Sequence, residues 1–533
     1  MSTNGLNQVY KHGILAIEEA VVGSNLAVGA TSITCGVRVL SQSVPVFVTD
    51  GKTPYTLRDE SITSSGSPNC EKIVITSNGA PSFTPASDGL GYIGNFTLTV
   101  SGFNGSAWSG GLVNAYSQAN RPTILIPGVE VLPTSNDFNL RFKTLSDAPK
   151  IDFDDEASRF ASGDEGRDLS IAGARSGEIS FTEKLSWAGS VSAVPTWDKV
   201  MKANGHITIR RGKGTFVQPS TGNTGGTAFA SLSALISHYS LSLNSYFWTD
   251  GTDTTAGDLQ TAKGGSGTLS YADSFEVTQI TPSDQILYVG LAGIEYINST
   301  HSNEVTATIW IINPEDGMSP TSTVYRYRGC HGGSGSSVSA GKVGDPYMLT
   351  IKMSGAYVGT LEILASQARS LTNPTATTPE VLLNNTVTVP ARVNGADTTK
   401  EVEVSQFNLD FGGVVSAFID QSTSTGNAYF KTDDRDPKFI INPYHVRKTL
   451  DDIDNTVTNM TTGKVTVQSA PSTPHITIEI PNAQLLSPAL ASREGIINTN
   501  RTYRALRNNT GSGASESALY DGVMYSILIG ARN

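Results

Sequence analysis

Phe96-Thr97-Leu98-Thr99-Val100 carries an apolar side chain at every second position. That is the period of a strand with one buried face, not of a helix. The same alternation, or a β-branched run, recurs at Glu178 to Leu185, Val305 to Ile312, Met348 to Met353, Thr386 to Val389 and His475 to Ile480. Gly, Pro, Asn and Ser bound these runs and break or turn the chain there. The reading is a mainly-β protein. Helical signals are few. Pro195-Thr196-Trp197-Asp198-Lys199-Val200-Met201-Lys202-Ala203 stops at Asn204-Gly205, with Trp197, Val200 and Met201 on one face. Pro443 to Leu450 is a second candidate and Phe229 to Leu243 an ambiguous third, which suggests one short helix per module.

The 533 residues hold 37 basic and 48 acidic side chains, a net charge of −11. Such a length suggests about three domains, each able to bury a core. At 16% charged residues the chain is too poor in charge for a coiled coil or a charge-rich disordered segment. No apolar run approaches the ~20 residues that span a bilayer, and Met1 to Gly13 lacks a signal-peptide core. The expectation is a soluble protein made in the cytoplasm. The acidic balance argues against a sequence-specific DNA binder, which needs clustered Lys and Arg.

Cys35, Cys70 and Cys330 are too few and scattered for a disulfide framework or a four-thiolate zinc site. Cys35 and Cys70 could pair, but free buried thiols are the preferred reading.

The chain repeats itself. Phe138-Asn139-Leu140-Arg141-Phe142 returns as Phe407-Asn408-Leu409-Asp410-Phe411. Each copy leads through an acidic, Gly-containing stretch to an Arg-bearing turn (Arg175-Ser176-Gly177; Arg435-Asp436-Pro437), a strand, a Pro and the short helix. The shared order points to an internal duplication, with a seam between about residues 260 and 320. The expected modules are 1–30 plus 119–290, and 291–533. Residues 31–118, rich in Gly, Ser and Thr, read as an inserted surface β domain with strands near Val37 to Leu40, Val46 to Val48 and Phe96 to Val100. An Ig-like form is open to it, and a long decorated loop is the alternative.

Few motifs carry chemistry. Gly329-Cys330-His331-Gly332-Gly333-Ser334-Gly335, leading to Gly341-Lys342-Val343, misses the Walker spacing and the hydroxyl after Lys. It reads as a flexible hairpin tip, with Gly332, Gly333, Ser334 and Gly335 as its apex. There is no GxSxG elbow, and seven dispersed histidines lack HExxH spacing. No catalytic, metal or cofactor residue is expected. The acidic block from Ile151 (Asp152, Asp154, Asp155, Glu156) to Asp168 fails the EF-hand pattern. Its default is a solvated loop. The next reading is a loop that docks on basic groups of a neighbouring subunit, with Arg210, Arg211, Lys213, Arg501, Arg504 and Arg507 as candidates.

Several segments together resemble the major tail tube proteins of long-tailed (siphovirus-type) bacteriophages. They are Gly173 to Thr182 with Pro195 to Ala203; Tyr325-Arg326-Tyr327-Arg328-Gly329-Cys330-His331-Gly332 with Ala340-Gly341-Lys342 and Ser354 to Tyr357; Thr432 to Pro437; Pro481 to Leu485; and Arg493-Glu494-Gly495 with Tyr503 to Asn508. The resemblance covers about residues 120–533, with a weaker echo at Ile14 to Glu19, and leaves 31–118 outside it.

It implies duplicated β-sandwich or barrel modules that donate strands to a continuous barrel around a lumen. Rings of six modules would be trimers if each chain carries two, and hexamers otherwise, stacked into a tube. The implied partners are further copies of the chain, the tape-measure protein, and the tail terminator and distal tail proteins. DNA would pass through without specific binding, helped by an acidic lumen. No membrane is involved, and assembly would occur in the host cytoplasm. A tail-tip or virion-surface protein binding host glycan or receptor is the alternative, and a secreted hydrolase a weaker third.

Overall fold

A computed structural model describes residues 12–23, 31–42, 47, 49–59, 69–101, 123–141, 150–156, 171–187, 195, 197–211, 216–218, 227–229, 275–278, 286–289, 292–298, 304–313, 320–341, 344–372, 380–381, 384–393, 395–420, 425–444, 451–469, 475–486, 488–493, 496–507 and 523–531. They form a mainly-β protein with three short helices: α1 (Asp198–Ala203), α2 (Ala365–Thr372) and α3 (Ile453–Thr458).

Two sheet systems organise the chain. The first contains the strands of the expected insertion and two from its flanks. Ser32–Val39 pairs with Tyr92–Ser101, which pairs with Asn69–Asn78, and that strand with Pro54–Asp59. Thr123–Leu125 then joins Pro54–Asp59 to Glu19–Val22, and Glu19–Val22 returns to Ser32–Val39. The six strands close into a barrel, so no main-chain row among them is left without a neighbour. Ser82–Pro85 adds to the rim as a seventh. The alternation seen in sequence is the pleat itself: Phe96, Leu98 and Val100 face inward with Ile33, Ile73 and Ile75, while Thr97 and Thr99 face out. Cys35 is a free thiol in this core, and burial pushes it up to about 12.

The second system is built on one long hairpin. Thr321–Gly332 and Ser337–Ala340 run as two segments along one edge of the 17-residue strand Met348–Leu364. The first segment also pairs with Ala307–Asn313, which carries His12–Ile17 and then Phe138–Arg141. The second pairs with Phe407–Asp410, and the sheet continues through Lys438–Ile441, Ile496–Ala505, His475–Leu485 and Ser526–Ala531 to Ala292–Asn298 and His206–Arg211. Ile171–Lys184 covers the opposite edge of Met348–Leu364.

Both Phe-Asn-Leu segments are four-residue antiparallel strands of the long system, Phe138–Arg141 paired with His12–Ile17 and Phe407–Asp410 lying between Ser337–Ala340 and Lys438–Ile441. Each is followed in chain order by a hairpin, a short helix and a further strand. One detail differs from expectation. Arg175-Ser176-Gly177 is no turn but lies inside Ile171–Lys184, where Gly177 opposes Ile151 on one side and Gly355 on the other. Its counterpart does break the chain: Asn427–Arg435 ends at Arg435, and Lys438 begins the next strand.

Helix α1 follows the sequence closely. Trp197, Val200 and Met201 are all buried, the Trp197 indole N–H donates to Ser186 O at 3.2 Å, and its ring lies 5.0 Å from Tyr296. Gly205, at φ +76°, ends the helix where the sequence places its Asn-Gly stop. Helix α3 begins at Ile453, beyond the expected Pro443 to Leu450. Asp452 caps it by accepting the Asn455 N–H at 3.2 Å. Tyr444 instead bridges to Asn498, and 445–450 lie outside the described residues. Of the third candidate only Phe229 is described, at the end of a strand (Thr227–Phe229). Helix α2, which no sequence signal marked, seals a small core of Ile14, Leu90, Trp310, Ile363 and Leu371 where the barrel meets the long sheet.

Candidate assembly surface

The Gly-rich run has a packing role. The hairpin Gly413–Ile419/Asn427–Arg435 lies across the strand Thr321–Gly332, and glycines make the seat. A Cβ on Gly329 (φ +57°) would stand 2.6 Å from Tyr429 Cα, and one on Gly128 (φ +78°) 2.4 Å from Ala428 O. A Cβ on Gly333 would meet Val415 at 2.8 Å, and one on Gly332 would meet Asn204 Oδ1 at 1.8 Å. These are closer than real side-chain carbons approach, so only glycine lets the two layers touch. The expectation of a flexible hairpin tip is therefore corrected. Gly332 and Gly333 are buried, Ser334 alone is exposed, and the turn of the long hairpin lies beyond Ala340.

Beneath this crossing lie two neutral histidines. His331 Nδ1–H donates to Val305 O at 2.8 Å, leaving Nε2 to accept the Thr432 hydroxyl at 2.6 Å. His206 repeats the arrangement, giving its Nδ1–H to Met201 O and accepting from Tyr525 at 2.7 Å. Burial holds both well below the ordinary imidazole range, His331 at about 3. His331 thus ties the hairpin to Val305, and His206 ties α1 to Tyr525, just before the C-terminal strand.

The residues expected at a subunit contact separate into different environments. Asp152, Asp154, Asp155 and Glu156 lie on a strand, Lys150–Glu156, paired with Ile171–Lys184, and not in a solvated loop. Ile151 and Phe153 alternate with them, which is a strand signal that the density of charge obscured. The rest of that block, 157–168, lies outside the described residues. Arg210 and Arg211 end His206–Arg211 opposite Ile294 and Gly293. Arg501 is not offered to a neighbour, because it is buried on Asp451 at 2.7 Å. Arg504 is exposed and reaches Asp436 with Nε at 2.8 Å and Nη2 at 3.2 Å, and Arg507 is exposed.

What the sequence reading missed is apolar and outward. Leu490 is 73% exposed, and Ile496 and Ile497 are over half exposed, at the end of the hairpin Ala489–Arg493/Ile496–Ala505. Val414, Phe418 and Ile419 stand out from the other hairpin, where Phe418 stacks on Tyr429 at 5.0 Å. Successive strand positions 496 and 497 face opposite sides, so the first hairpin shows apolar groups on both faces. In the long sheet five strands have a paired neighbour on one side only among the described residues: Phe138–Arg141, Lys150–Glu156, His206–Arg211, Ala396–Glu401 and Ala489–Arg493. Unpaired rows of this kind template strand addition. Among the described residues no group of three or more His, Cys, Asp or Glu gathers as a metal site. Compared with known proteins, the chain matches no family model and no curated protein.

Proposed function

We propose that this chain is the structural subunit of a phage tail tube, assembling with copies of itself into stacked rings whose lumen conducts DNA. The observation that carries the reading is the outward hairpin with Leu490, Ile496 and Ile497 exposed, on a β system that keeps one-sided strands. Exposed apolar groups on a strand pair are costly in a lone chain and are relieved when a second chain covers them. The sequence resemblance supplies the tube, and the twice-used order of strand, hairpin, helix and strand supplies two modules per chain. Six modules then need three chains per ring. A chain of net charge −11 suits a conduit from which phosphate must slip free. In this reading the subunit is not an enzyme. Its partners are its own copies, the tape-measure protein and the terminator and distal tail proteins, and it joins the virion tail after assembly in the host cytoplasm.

The test is sedimentation of the purified full-length chain with and without Leu490→Lys and Ile497→Lys. The reading expects large assemblies from the unaltered chain and a shift to single chains in the double variant, with circular dichroism unchanged. Single chains from the unaltered protein at all concentrations would contradict it.

A further inference from the structure

The one-sided strands of the long sheet differ in charge. Lys150–Glu156 (KIDFDDE) holds four acidic residues and one Lys, whereas His206–Arg211 (HITIRR) holds two arginines and no acid. Phe138–Arg141 and Ala489–Arg493 hold one Arg each. In Ala396–Glu401, Asp397 pairs with Arg392 at 3.2 Å, and Lys400 approaches Asp451 at 3.9 Å. The most acidic edge and the most basic edge are thus two separate margins of one chain.

The chain does not join them. Among the described residues Lys150–Glu156 pairs only with Ile171–Lys184, and His206–Arg211 only with Ala292–Asn298. Each leaves a main-chain row open on its other side, and such a row is a template for a further strand. The other basic candidates are engaged or lie off an edge. Arg501 is buried on Asp451, Arg504 holds Asp436 with two nitrogens, and Arg507 follows the end of Ile496–Ala505.

Charge is also uneven along each strand. In Lys150–Glu156 the Lys comes first and the acids follow at 152 and at 154 to 156, while in His206–Arg211 the arginines come last. Laid in the same direction, with Lys150 beside His206, the strands set Asp154 beside Arg210 and Asp155 beside Arg211. Laid in opposite directions, with Lys150 beside Arg211, they bring like charges together and leave the acids away from both arginines. Opposite charges across a strand pair favour it, and like charges oppose it.

We propose that the edge Lys150–Glu156 of one copy is continued, in parallel, by the edge His206–Arg211 of a second copy of this chain, with Asp154 and Asp155 beside Arg210 and Arg211. The inference rests on the self-assembly reading above and names the margins through which it runs. Strand addition supplies main-chain hydrogen bonds, which give affinity without choosing a partner. The charges choose the partner edge, its direction and its register. Because the two edges are different surfaces, each copy gives one and receives on the other. Such a heterologous contact closes into a ring where the rotation between copies allows, and two edges of the same kind repel.

The test is sedimentation of the purified full-length chain and its variants, read as the concentration at which assemblies appear. Arg210→Glu with Arg211→Glu, and separately Asp154→Lys with Asp155→Lys, are each expected to raise it about tenfold or more, because like charges then adjoin. Combining the two pairs restores opposite charges. It is expected to return the concentration to within about threefold of the unaltered chain, a recovery that a damaged fold does not show. Lys150→Glu reads the direction. Beside His206 it should change little, whereas beside Arg211, in an antiparallel join, it would lower the concentration.

Assembly that neither reversed pair weakens would overturn this contact and leave self-assembly standing. An unaltered chain that never assembles would overturn both. Loss in each pair without recovery in the combination would overturn the contact, and a lowered concentration in Lys150→Glu would overturn its parallel direction. Should reversal unfold the chain, Arg210→Gln with Arg211→Gln carries the same test, with a rise of about threefold expected and an unchanged concentration contradicting it.

Discussion

Arg501 Nη2 lies 2.7 Å from Asp451 Oδ2, with both side chains withdrawn from water, 50 residues apart in sequence. The pair anchors the strand Ile496–Ala505 to the segment just before α3, and Lys400 approaches the same carboxylate at 3.9 Å. Removing the carboxylate strands a buried guanidinium. Asp451→Ala is expected to cost about 3–5 kcal/mol, read from the denaturant midpoint. Replacing Asp451 and Arg501 together by apolar residues should recover much of that loss.

The glycine seat gives a second expectation. Gly329 combines a left-handed φ of +57° with main chain 2.6 Å from a would-be Cβ. Gly329→Ala is expected to destabilise by about 2–4 kcal/mol. Gly413→Ala, whose Cβ would meet its nearest atoms at 3.8 Å, should stay within about 1 kcal/mol. Thermal unfolding of the two variants side by side checks the contrast, and equal losses would refute the seat.

Acid should unfold the protein partly through its histidines. His331 is held near 3 in the fold and returns to about 6.5 when exposed. Unfolding therefore takes up a proton below pH 6.5, and stability falls as pH drops from there toward 3, by about 1.4 kcal/mol per pH unit for each such group. His206 adds in the same direction. His331→Gln should reduce the slope of stability against pH by close to one proton in that window. An unchanged slope would mean that His331 titrates normally.

The apolar hairpin can be tested without touching the core. Ile496→Lys should leave the unfolding midpoint within about 0.5 kcal/mol, since its side chain stands in water. It should nevertheless weaken self-association, which light scattering measures as a raised threshold concentration.

Much of the fold was legible because its signals are local. The pleat of Tyr92–Ser101 and the apolar face of α1 follow from periods of 2 and 3.6 within one segment. In the acidic strand Lys150–Glu156 the density of charge masks the alternation of Ile151 and Phe153. The role of the glycines from 329 to 335 is hidden for another reason. What they accommodate, Tyr429, Val415 and Asn204, lies about 80 to 130 residues away in sequence, and no local pattern announces it. Helix α3 starts where Asp452 caps it, a signal overshadowed by Pro443. The exposure of Leu490 is set by what surrounds it in space, and no local pattern announces it.

The central claim is that the chain forms rings through its β margins. Electron microscopy of the purified full-length protein tests it most directly. The account predicts stacked annular particles built of three chains, each giving two modules to a pore-bearing ring. Monodisperse single chains, or assemblies in which Ala489–Arg493 and Ala396–Glu401 stay unpaired at the surface, would contradict it.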